Sequence, residues 1–280
     1  MASVTLGDVV VTFPGGGRRG GGEASPALQG VDLAVLDGEM MAVVGRSGAG
    51  KTTLLRAIAG LDQVTGGAVL MDGVDVTASE PGERDVAMVF QFPHLLPHRN
   101  VGRNVAFPLE VRHQTLEEIR ARVGAEARAL HIESLLERSP RDLAAGEAQL
   151  VQIARALVRV PRVLLLDEPL ARLDARVRER MRRELRMLQQ GYGVTTIFTT
   201  NDPTEAMAMS DRLVVLDAGR VEQVGTPIDV YREPVSLLAA QLTGPLTTTT
   251  VERAGRRAVR GVRPDDECLY FDAATGTRLA

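Results

Sequence analysis

The chain has 280 residues, enough for one large domain or one and a half, and its apolar content of 44% supports a real core. A net charge of −3, with the basic residues spread along the chain, gives no basis for bulk nucleic-acid binding, and the lack of Trp argues against base-stacking platforms. The single cysteine, Cys268, excludes an internal disulfide and fits a reducing compartment. The first residues show no leader pattern and no apolar run is long enough to span a bilayer, so any membrane role is expected to come through a partner.

Residues 4–13 alternate and read as a strand. In the Gly-rich stretch 15–22, Gly15, Gly17 and Gly20 match a dinucleotide-binding spacing. No helix pattern follows, so a flexible hairpin loop is the expectation. Residues 28–36 form a second strand, with a turn at Asp37-Gly38. Residues 40–44 are a buried strand that runs into Gly45-Arg46-Ser47-Gly48-Ala49-Gly50-Lys51-Thr52-Thr53, and a helix follows to about Ala59, where Gly60 ends it. Gly45 to Thr52 fits the phosphate-loop template of Gly, four residues, Gly-Lys-Thr. Glycines let successive backbone N–H groups turn inward around phosphate oxygens, and the helix behind them points its positive dipole end at the same place. Lys51 adds a full charge on the outer phosphates, and the Thr52 hydroxyl can hold Mg²⁺. An ordinary Gly-rich turn would not require the strand and helix patterns that flank this one.

Residues 68–73 read as a strand and turn, and residues 86–91 as a short apolar strand ending on Gln91. A capped helix begins at Thr115, with helical periodicity to about Glu137, so roughly residues 92–140 form a helical insertion between strands. Residues 146–160 are a further helix. Residues 162–169 are a buried, parallel-type strand ending in Asp167-Glu168. Asp167 can hold Mg²⁺ through water, and Glu168 can polarise a water in line with a terminal phosphate. An exposed acidic turn is the bland alternative, and it explains neither the apolar strand nor the loop lysine upstream. Residues 174–190 form an amphipathic helix whose arginines are expected on a solvated face. A strand at 194–200, a short helix at 204–209 and a hairpin through Ala218-Gly219 complete a mainly parallel α/β sheet with an antiparallel N-terminal portion. From Leu246 the text changes. Four threonines, Thr247 to Thr250, precede two candidate strands at 259–264 and 269–271. About 35 residues cannot close a barrel or bury a core alone, so this tail must pack on the main domain, pair with another chain or stay loose. The four histidines, His94, His98, His113 and His131, have no metal spacing.

With these motifs together, the chain over about residues 3–245 resembles the ATP-binding-cassette (ABC) ATPases, and most nearly the sugar-importer branch of the maltose-transporter type. The phrase Arg84-Asp85-Val86-Ala87-Met88-Val89-Phe90-Gln91 and the pair Pro97-His98 carry the likeness to that branch. The resemblance implies a cassette domain at 1–245 with a helical subdomain at about 92–145, and a short remnant of a regulatory β domain at 246–280. It implies that Phe13 stacks on adenine, that Gly45 to Thr53 grip the triphosphate, and that Gln91 senses Mg²⁺ and faces the membrane subunits. It implies that Asp167 and Glu168 are the Mg²⁺ and general-base carboxylates, and that Asp174 lies in the loop crossing a dimer interface. Leu143-Ala144-Ala145-Gly146-Glu147 stands at the family's signature motif, which meets the partner's ATP. The implied partners are permease subunits in the membrane, a second cassette and an extracytoplasmic solute-binding protein, with the chain peripheral on the cytoplasmic face.

The departures from the family pattern are equally specific. Ala144 replaces the signature serine, Ala145 puts a methyl where a backbone approaches nucleotide, and Glu147 adds a negative charge. Leu150 stands where the family has Arg, and Asn201 replaces the switch histidine. Losing one transition-state donor costs about 10²–10³ in rate. The sequence therefore raises a weakened ATPase paired with a different, intact cassette, with neutral drift as the alternative. A largely structural partner subunit and a soluble cassette protein outside transport are the competing readings. The transported solute is not legible.

Overall fold

The computed structural model describes residues 2–14, 25–253, 256–264 and 267–279. The Gly-rich stretch 15–22 lies outside the described residues.

Three sheets organise the chain. The first is antiparallel, in the order β2-β1-β4-β5, from β1 (Val4–Phe13), β2 (Ser25–Val35), β4 (Gly66–Met71) and β5 (Val74–Asp75). The second has the order β10-β9-β3-β8-β7-β6. Its strands are β3 (Met40–Val44), β6 (Val86–Val89), β7 (Val163–Asp167), β8 (Thr195–Thr199), β9 (Arg212–Asp217) and β10 (Arg220–Gly225). All neighbours in it are parallel except the β9–β10 hairpin. A parallel sheet covered on both faces explains why 40–44 and 163–167 read as unbroken apolar runs. Met40, Ala42 and Val44 enter one core, and Met41 and Val43 enter the other, following the two-residue period of a strand.

The first core is shared with the helices α2 (Val101–Val111), α3 (Leu116–Ala129), α4 (Ala145–Leu157), α5 (Ala175–Tyr192) and α6 (Pro203–Met209). The second lies between the two larger sheets and holds α1 (Lys51–Ala59), whose C-terminal turn closes at Gly60.

Helix α3 starts as expected, with Thr115 and Glu118 forming a reciprocal cap. It ends at Ala129 rather than near Glu137. The backbone reverses at His131, with φ of 54°, and Leu130, Ile132 and Leu135 stay buried beyond the α-helix, the last of them in a single 3-10 turn, Glu133–Leu135. Arg176, Arg180 and Arg183 of α5 are exposed, as a solvated face requires, but two other arginines of the helix depart from expectation. Arg178 donates to the carbonyls of Leu170 and Leu173 at 3.3 and 3.0 Å, and Arg186 pairs with Asp211. They fasten loops to the helix rather than merely solvate it.

After the hairpin come α7 (Pro227–Arg232) and α8 (Leu237–Thr243). The tail folds as a three-stranded antiparallel sheet, β11 (Thr247–Arg253), β12 (Arg256–Val262) and β13 (Cys268–Asp272). The threonine run is its first strand. Of the three fates open to the tail, packing is the one observed: Leu269 and Phe271 bury against Ala240 of α8. Arg263, 1% exposed, lies over the Tyr231 ring at 3.6 Å and donates to the Tyr231 carbonyl at 2.7 Å.

Candidate active site

Because β3, β6, β7 and β8 are parallel, their C-terminal ends share one edge of the sheet. Crevices at that edge are where open α/β sheets hold ligands. The loop after β3 is residues 45–50. Gly45 admits no side chain, since a Cβ would stand 2.3 Å from the Leu216 carbonyl oxygen. Gly50, the N-cap of α1, has φ of 103°, a conformation costly for any other residue. The tip of the β9–β10 hairpin backs this loop, with Gly219 N donating to the Ala49 carbonyl at 2.9 Å.

Lys51 begins α1 and folds its side chain back over the loop. Its Nζ donates to the carbonyls of Gly45 and Arg46 at 2.8 and 3.1 Å and to Asn201 Oδ1 at 3.0 Å. Burial holds this ammonium below the usual lysine value, while the Glu168 and Asp167 carboxylates pull the other way. Thr52 Oγ1 donates to Asp167, with oxygens at 3.1 and 3.0 Å. Asp167 ends β7 directly beside Thr199 of β8, whose Oγ1 donates to it at 2.7 Å. The same Thr199 hydroxyl accepts from the Glu168 backbone N–H at 2.9 Å. Glu168 needs this support because its φ is 45°, a strained value for a non-glycine residue.

Both carboxylate oxygens of Glu168 are engaged. Gln91 Nε2 donates to Oε2 at 2.8 Å, and Asn201 Nδ2 donates to Oε1 at 2.5 Å. Ser47, Gly48, Gly50, Lys51, Thr52, Thr53, Gln91, Glu168 and Asn201 line one cavity of 360 Å³, with Ala27 at its rim. Lysine, hydroxyl, two carboxylates and two amides thus converge from four strand ends. The hydroxyl and carboxylate oxygens of Thr52 and Asp167 form a hard donor set that fits Mg²⁺, whose remaining ligands come from phosphate and water.

Other residues singled out from the sequence lie elsewhere. Ala144, Ala145, Gly146 and Glu147 line a second cavity, of 480 Å³, together with Arg172, Leu173 and Asp174. Ala144 caps α4 in an extended conformation without any side-chain hydrogen bond, and Glu147 reaches back to accept from the Ala144 N–H at 2.8 Å. Asp174 caps α5 by accepting from the Val177 N–H. Phe13, 44% exposed at the end of β1, does not line the first cavity. Thr199 and Arg172 were not singled out. Thr199 lies within the strand expected at 194–200, two residues before Asn201, but its bridging role depends on a strand neighbour that no local pattern reveals.

A profile of the ABC transporter family matches residues 28–171. The chain is 41% identical to the sn-glycerol-3-phosphate import ATP-binding protein UgpC of Rhizobium meliloti (strain 1021), across 100% of this chain and 82% of that one. It is 48% identical to UgpC of Brucella abortus (strain 2308), across 81% and 65%. Its fold matches a dimeric post-hydrolysis structure of the ATP-binding cassette MJ0796 bound to ADP and Pi. The TM-score is 0.73 at 30% identity, over 80% of this chain and 98% of that one. The resemblance to the ABC ATPases is thereby met by family, relatives and fold together, and the chain belongs to the ABC transporter family as an ATP-binding, ATPase-type cassette.

Proposed function

We propose that this cassette energises an importer for a carbohydrate-type solute, as a peripheral subunit on the cytoplasmic face of a membrane. The solute class follows the relatives, which are named for sn-glycerol-3-phosphate import. No helix among the described residues is long and apolar enough to cross a membrane. Under this proposal permease subunits provide the membrane path, and an extracytoplasmic binding protein delivers the solute. In this reading Gly45 to Thr53 grip the triphosphate, with Lys51 as the cation on its outer phosphates. Thr52 and Asp167, with Gln91 nearby, hold the Mg²⁺ that shields phosphate charge. Glu168 orients the attacking water, and Phe13 flanks the base. Ala144 to Glu147 and Asp174 face the ATP of a second cassette.

The observation that carries the proposal is the single cavity where Lys51, Thr52, Gln91, Glu168 and Asn201 meet. Its geometry also supports weakened hydrolysis. With an amide on each oxygen, Glu168 keeps only part of its acceptor capacity for the attacking water. Asn201 offers a neutral amide where an imidazole would stand, and Ala144 offers no hydroxyl to a partner's phosphate. We infer a heterodimer with an intact cassette, in which the two defects fall in different sites. ATP turnover of the chain alone and mixed with a candidate cassette tests this. Slow turnover alone and faster turnover in the mixture are expected, and brisk turnover alone contradicts it.

A further inference from the structure

The two cavities are joined by a contact that the reading above does not use. Phe92 follows Gln91 and leaves its ring 56% exposed. The guanidinium of Arg172 lies over that ring, 4.2 Å from its centroid. Arg172 belongs to the loop between Glu168 and Asp174, and its other side lines the second cavity with Ala144 to Glu147. Both ends of the stack are held from behind. On the Phe92 side, the Phe92 carbonyl contacts His94 Nδ1 at 2.6 Å, and the His94 ring packs edge-on against Phe90. On the Arg172 side, Arg178 of α5 fixes the carbonyls of Leu170 and Leu173. Leu173 rests so close to Gly146 that a Cβ there would meet it at 3.0 Å.

Gln91 and Glu168 thus form a closed circuit with Phe92 and Arg172. One link is the amide-to-carboxylate hydrogen bond in the first cavity, and the other is the cation–π stack at the border of the second. A guanidinium over an aromatic face is attracted by the ring quadrupole and packs flat against it.

We propose that Arg172 is a positioning residue. By stacking on Phe92 it holds Gln91 against Glu168 and ties the phosphate-loop cavity to the Ala144–Glu147 cavity, so that a change at either moves the other. The inference rests on the first cavity being a nucleotide site. Arg172 acts through Phe92 and Gln91 and touches no reacting atom.

The test is a double-mutant cycle under single-turnover conditions, with the chain in excess over ATP and Mg²⁺ so that slow chemistry is resolved. In the same preparations, affinity is read by titration with a fluorescent ATP analogue. Arg172→Gln and Phe92→Leu, by loosening Gln91 from Glu168, are each expected to raise the single-turnover rate by about two- to five-fold, the worth of one exposed cation–π pair, with analogue affinity unchanged. The double variant should be no further from wild type than either single. Arg172→Lys and Phe92→Tyr, which keep a cation on an aromatic face, should stay close to the wild-type rate. Arg183→Gln, on the outer face of α5, should leave it unaltered. Effects that multiply in the double variant, affinity that falls in step with rate, or single variants indistinguishable from wild type would overturn the proposal. A wild-type chain that fails to bind the analogue would instead overturn the functional reading beneath it.

Discussion

Asn201 sits between two charged groups, accepting from Lys51 Nζ and donating to Glu168. Its amide satisfies both neighbours without carrying charge. An imidazole at this place reaches further and can become a cation facing the charge that develops on a transferring phosphoryl group. Asn201→His is therefore expected to raise the single-turnover rate by about tenfold or more, towards the 10²–10³ that one transition-state donor is worth, with little change in nucleotide affinity. A rate equal to wild type would show that Asn201 is not what slows the chemistry. The residues of the phosphate loop were legible because their template is local in sequence. The Glu168 backbone strain, the two-way Thr199 hydroxyl and the Arg172 stack were not, because each joins residues from different elements.

At the scale of elements, legibility followed burial and length. Strands β3 and β7 were legible because both their faces are covered. Helix α2 was hidden inside a broadly helical insertion, with Pro108 in its interior obscuring its extent. The six- and seven-residue helices α7 and α8 are too short to show a period, and β11, nearly all exposed, carries no apolar alternation. The short helix α6 was expected, and it carries a charge that its pattern did not announce. Glu205 is 3% exposed, and burial pushes its carboxyl above the usual carboxylate range, against the Thr200 hydroxyl donating at 2.6 Å. Within the window from the unfolded value up to that raised folded value, the native chain holds a proton that the unfolded chain has lost. This group's contribution to stability is therefore full at lower pH and fades as pH rises through the window. Glu205→Gln keeps an acceptor for Thr200 and removes the titration. Its urea midpoint should match wild type at and below the ordinary Glu value of 4.5 and exceed it towards neutrality. Parallel pH profiles for the two proteins would contradict this account of Glu205.

At the scale of the molecule, the phosphate-loop cavity and the Ala144–Glu147 cavity lie on one cassette, and none of the described residues lines both. The first collects the strand ends of the parallel sheet, and the second opens at the first turn of α4. This separation suits a dimer in which each nucleotide is closed between the first cavity of one subunit and the second of the other, and the matched MJ0796 cassette is dimeric. The tail sheet stands apart from both cavities, anchored on α8 and on Tyr231 by Arg263. Everything proposed for transport depends on the triphosphate being held by residues 45–52. The most direct measurement is equilibrium binding of ATP with Mg²⁺ to the wild-type chain and to Lys51→Ala. Saturable binding by the wild type, weakened at least about tenfold in Lys51→Ala, is the expected result. A wild-type chain that does not bind ATP, or a Lys51→Ala chain that binds it equally well, would contradict the account.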